Sequence, residues 1–90
     1  MRRAVVTVIG HDTVGIIAKV SNLLSSHSVN VLEISQSVLS DLFAMVMLCD
    51  TDKCTVELSA LTKELSDLGT EQSLNIRIMH DDIFQSMHRI

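Results

Sequence analysis

The pattern of apolar residues predicts an α+β sandwich of order β-α-β-β-α-β, a four-stranded antiparallel sheet with two helices on one face. Three observations carry this. Residues 4–9 and 42–49 are nearly unbroken apolar runs, as strands covered on both faces are. Residues 31–39 and 74–79 alternate apolar and polar, as half-exposed strands do. Two stretches between them repeat apolar residues every three or four positions, the spacing of a helix with one buried side.

The first strand, residues 4–9, is β-branched almost throughout. Gly10, His11, Asp12 and Thr13 follow as a turn, in which Asp12 or Thr13 is placed to cap a helix starting near Val14. Ile16, Ile17, Val20, Leu23 and Leu24 line one side of that helix, with Lys19, Ser21, Asn22 and Ser25 on the other, and it ends near His27. Ser28-Val29-Asn30 turns the chain into strand two, where Leu32, Ile34 and Val38 oppose Glu33, Ser35 and Ser37. Ser40-Asp41 makes a tight hairpin to strand three.

Residues 51–55 offer several capping side chains before Leu58, Leu61, Leu65 and Leu68 mark helix two, and Gly69 stands where a left-handed C-terminal cap is common. In the last strand Leu74, Ile76 and Ile78 alternate with Asn75, Arg77 and Met79. Right-handed crossovers put strands one and three in the middle, in the order 4-1-3-2. The unbroken runs fall on these central positions and the alternating segments on the edges, so pattern and handedness agree.

Ninety residues make one domain, read as residues 1–80 with a short C-terminal helical tail over 81–90, where Ile83, Phe84 and Met87 have helical spacing. A chain of this size removes roughly 60–65% of its unfolded surface from water, so much apolar surface stays outside. Central strands apolar on both faces imply a cover for the helix-free face: a second copy, the tail, or both. A homodimer is expected.

No apolar stretch approaches the roughly 20 residues that span a bilayer, and the short run after Arg2 and Arg3 is no signal-peptide core. With Cys49 and Cys54 as the only cysteines, the reading is a cytoplasmic chain with reduced thiols. A net charge of −4 opposes direct binding to phosphate backbones, and two phenylalanines are too few to stack unpaired bases. Nucleic acid and membrane are therefore not expected partners.

This arrangement of elements hosts many functions, so the sites decide. A copper carrier needs two thiolates in the loop after strand one, which has none. RNA recognition needs aromatic residues on strands one and three, which offer only Phe43. An acyl-phosphate hydrolase needs an arginine near that loop, and none lies between Arg3 and Arg77. His80, Asp81, Asp82 and His88 match no metal-ligand spacing, and no nucleophile, base and carboxylate set is placed by the pattern. No enzyme, metal or cofactor is expected.

The loop Gly10-His11-Asp12-Thr13-Val14-Gly15-Ile16 resembles the signature that opens ACT domains: glycine, a variable residue, aspartate, two positions, then glycine and an aliphatic residue. Ser28-Val29-Asn30-Val31 resembles the ACT turn into strand two, and residues 82–90 resemble the tail of small stand-alone ACT proteins akin to the regulatory domains of the glycine-cleavage repressor. The resemblance covers nearly the whole chain. It implies a ferredoxin-like fold and a regulatory module that senses a small molecule, an amino acid in particular, at the loop and near a dimer interface.

The loop's chemistry suits such a ligand. Gly15 permits close approach to the backbone, and free amides at a helix start attract a carboxylate. Asp12 and the Asn30 side-chain oxygen then suit the ammonium group. The candidate ligand-binding residues are Gly10, His11, Asp12, Thr13, Val14, Gly15, Ile16 and Asn30. Taken singly, each also has a plain structural role: Asp12 as a cap, Gly15 in packing, Asn30 in a turn. Where better-understood ACT loops carry asparagine and proline, this one has Asp12 and Val14, and a carboxylate there favours cationic groups and rejects anions. The alternative function is a protein-interaction adaptor, or a transcriptional co-regulator acting through a partner, that keeps the scaffold without a ligand.

Overall fold

The structure, a computed structural model, describes residues 2–11 and 15–81. Its elements run β1 (Arg3–His11), α1 (Ile16–Ser26), β2 (Asn30–Leu39), β3 (Leu42–Asp50), α2 (Leu58–Gln72) and β4 (Leu74–His80). The four strands form one antiparallel sheet in the order β2-β3-β1-β4, the expected order read from the other edge. Both unbroken apolar runs are central strands.

Register explains why they are apolar on both sides. Ala4, Val6 and Val8 of β1 share a face with Met45, Met47 and Cys49 of β3 and with Ile76 and Ile78 of β4. On this face Ile16, Val20 and Leu24 of α1 and Leu61 and Leu65 of α2 complete one buried core. The opposite face carries Val5, Thr7 and Ile9 with Ala44, Val46, Leu48 and Met79, and neither helix lies on it. On β2 the side of Ile34 and Val38 matches the helix face of β3, as the alternation predicts. Leu32 falls at a bulge between Val31 and Glu33, which takes it out of the simple alternation.

The helix ends differ from expectation. At the start of α1 the capping position belongs to Gly15, in the left-handed region at φ 81°, which has no side chain to bond the first turn; Asp12 and Thr13, the expected caps, lie outside the described residues. At α2 the capping position is Glu57, again without a side-chain bond, so none of the polar residues 51–55 serves there. Gly69 does not end α2 either. The helix runs on to Gln72 and closes at Ser73, while Gly69 is buried against β4: a Cβ there would lie 2.6 Å from the Leu74 carbonyl oxygen. The glycine lets helix and strand touch backbone to backbone.

A polar link ties the helices at one end. His27 Nε2 lies 2.7 Å from Glu64 Oε2, and the Thr55 amide donates to the His27 carbonyl at 3.0 Å. Cys49 is fully buried in the core, and burial pushes its thiol up to about 11. A thiol reacts as the thiolate, so in the native protein Cys49 should resist iodoacetamide near pH 8 while the partly exposed Cys54 is alkylated first. Mass spectrometry with and without denaturant checks this, and equal labelling of both in the native state would refute it. The same burial means that an unfolded chain releases this proton near 9.0 and the folded chain only near 11, so stability falls as pH rises through that window.

Candidate functional site

The candidate loop leaves β1 at His11 and enters α1 at Ile16, both elements being anchored in the core. Its two glycines serve different ends. A Cβ on Gly10 would come 2.4 Å from Leu74 Cδ2, so Gly10 is needed where β1 packs beside the start of β4. A Cβ on Gly15 would meet nothing within 4 Å, so glycine is needed there for its left-handed backbone, and the space beside it is open. Ile16 is a core side chain, leaving its backbone as what it can offer a ligand. Asp12, Thr13 and Val14 lie outside the described residues.

His11 joins the loop to the neighbouring hairpin. Its Nδ1 lies 3.4 Å from Asp41 Oδ2, with both side chains largely exposed. With Gly15 at the cap position of α1, which has no side chain to bond the first turn, this end of the sheet combines a helix start, a histidine and a carboxylate. A helix start of this kind favours a negative group through its amides and its dipole.

Asn30 is not brought to this loop within one chain. It pairs with Asp50, which pairs with Arg3, whereas Gly10 and His11 pair with Phe43 and Leu42. Eight residues of β1 separate the two ends, about 26 Å at the rise of a strand. The exposed Asn30 therefore sits at the far end of its own sheet.

That far end holds a cleft of about 190 Å³ lined by Arg2, Thr51, Cys54, Glu57, Leu58 and His80 among others. Cys54 donates its thiol to the Val56 carbonyl at 3.3 Å, and Asp52 accepts from the Arg2 amide. No sequence motif pointed to it, because its lining comes from three separated segments. Among the described residues no three His, Cys, Asp or Glu side chains gather as a metal site; Asp82 and His88 lie outside them. No described helix is long and apolar enough to cross a membrane.

The family model for the ACT domain matches residues 2–79. The chain belongs to the ACT domain family. A UPF0237 protein of Methanopyrus kandleri is 47% identical over 90 residues, the whole of both chains. Among solved structures, an ACT domain protein from Streptococcus pneumoniae superposes with a TM-score of 0.80 at 31% identity, covering 93% of this chain and 94% of the other. The regulatory subunit of aspartate kinase from Thermus thermophilus shares the fold at 23% identity and a TM-score of 0.66, over 86% of this chain and 50% of that one. The same fold is thus met both in a small separate protein and within part of a larger subunit.

Proposed function

We propose that this ACT protein is a homodimeric sensor of a small amino acid, held between the β1–α1 loop of one chain and strand β2 of its partner. The position of Asn30 carries the reading. Within one chain it is remote from Gly15, yet it begins an edge strand that, among the described residues, has no strand on its outer side.

That edge is built to pair. It is ten residues long, carries one charged side chain, Glu33, and contains none of the lysines or prolines that protect edges. Ile34 and Val38 on it are 46% and 59% exposed. Antiparallel pairing of two copies about a two-fold axis at Gln36 sets Ile34 against the partner's Val38, and Val38 against the partner's Ile34. The same register brings the partner subunit's Glu33 level with Leu39 and Leu42 and carries the partner subunit's Asn30 beyond that end of β2, on the side of the sheet where His11, Asp41 and Gly15 stand. The amides of the first turn of α1 then receive the ligand carboxylate, while Asp12 and the partner subunit's Asn30 receive the ammonium group. Binding shifts the assembly because the ligand prefers the paired state.

Thermal-shift screening of the full chain against the amino acids tests this, followed by calorimetry on any hit. The expected result is stabilisation by at least one small amino acid, abolished by Asn30→Ala and by the edge-charging pair Ile34→Lys and Val38→Lys. If no amino acid stabilises the protein, the sensor reading is wrong. The adaptor reading then stands on the same exposed edge, which would accept an extended segment of another protein.

A further inference from the structure

The helical tail expected over residues 81–90 lies outside the described residues from position 82 onward, whereas every residue of the β2 edge lies within them. One residue of that edge breaks its pattern. Ile34, Gln36 and Val38 pair with Met47, Met45 and Phe43, all core side chains, so the three share the face on which the helices lie. All three are exposed. Between two exposed aliphatic side chains the strand thus carries an amide, which has both a donor and an acceptor.

Side chains that meet across an antiparallel ladder stand on the same face. A two-fold axis relating two copies of β2 must therefore pass through a residue and not between two, which leaves few registers. With the axis at Ser35, Ile34 falls opposite the partner's Gln36; with the axis at Ser37, Gln36 falls opposite the partner's Val38. Either register sets the amide against an aliphatic side chain, where it loses water without gaining a bond. An axis at Ile34 or Val38 runs the pairing into the bulge or into the turn at Ser40. With the axis at Gln36, Ile34 meets the partner's Val38 and the two amides face each other, each able to donate and to accept. That register also uses the whole regular ladder, residues 33–39, and keeps Glu33 about 20 Å from the partner's Glu33.

We propose that Gln36 is the residue by which this edge selects a second copy of the chain and fixes its register, through an amide pair on the two-fold axis flanked by aliphatic contacts. A single polar group in an apolar seam can set register in this way, at some cost in strength. The inference rests on the edge-to-edge dimer proposed above and adds what decides its alignment.

Cross-linking of the full chain in a Cys54→Ser background, which leaves the buried Cys49 as the native thiol, reads the register. Chains carrying Ser35→Cys and chains carrying Ser37→Cys are expected to join in a mixed disulfide, because these positions are opposite each other. Little of either like-with-like disulfide should form, since diagonal positions stand about 7–8 Å apart, too far for the bond. Adding Gln36→Leu should bring the like-with-like products up to the level of the mixed one, with a dimer no weaker by sedimentation. Gln36→Glu places two carboxylates on the axis and should raise the dimer dissociation constant at neutral pH by about fivefold or more, with recovery in acid as they protonate. A monomer, or a dimer without the mixed disulfide, removes the edge-to-edge reading and this inference with it. A mixed disulfide that dominates with Gln36→Leu as it does with glutamine, or a Gln36→Glu dimer as tight at neutral pH as in acid, leaves the dimer standing and refutes the role of Gln36.

Discussion

Gly69→Ala is expected to destabilise the fold by about 2–3 kcal/mol, the upper range for forcing extra volume into a packed interior. At an exposed helical position the same change stabilises by about 1 kcal/mol, because alanine is the better helix former. The sign therefore reports the local contact. The new methyl would stand 2.6 Å from the Leu74 carbonyl oxygen and 3.2 Å from Ile76 Cγ1. The first of these is backbone, so α2 and β4 must move apart along a line where both are buried. For a domain of this size the loss corresponds to a fall in melting temperature of roughly 10–20 °C. A melting curve unchanged or raised would show that the helix does not rest on the strand there.

Subunit complementation should give the largest change in ligand binding. In a site shared across a two-fold axis, each ligand meets the loop of one chain and the Asn30 of the other. Chains carrying Asp12→Ala and chains carrying Asn30→Ala are each expected to lose binding as pure dimers. After equal mixing and exchange, half of the dimers are hybrids, and each hybrid has one intact site, so about a quarter of the sites should return. Calorimetry with the amino acid found in the screen measures that recovery. A site contained in one chain would recover nothing, and that outcome would remove the second chain from the pocket.

The architecture was legible because each strand announces its place. Residues 4–9 and 42–49 are apolar on both faces since β1 and β3 are central, and β2 and β4 alternate since they are edges. Helix ends were harder to read. Asp12, Thr13 and residues 51–55 all have capping side chains, but composition alone does not choose among neighbours, and the chain uses Gly15 and Glu57. Gly69 read as a helix stop because glycine after a leucine stripe commonly is one. Its real signal lay in the spacing Leu61, Leu65, Gly69, which puts it on the buried side. The remoteness of Asn30 was also implicit: α1 carries the chain back along the sheet, so β2 must begin at the end where β1 began.

The bulge between Val31 and Glu33 bears on how far such chains can grow. A straight strand with two like edges could recruit copies without limit and build a fibre. Here the kink confines a regular ladder to residues 33–39, and the symmetric pairing proposed above would consume that edge of both molecules. The other border of the sheet is the shorter β4, studded with Asn75 and Arg77. In the proposed dimer two chains would close upon each other, and polymerisation would have nowhere to continue.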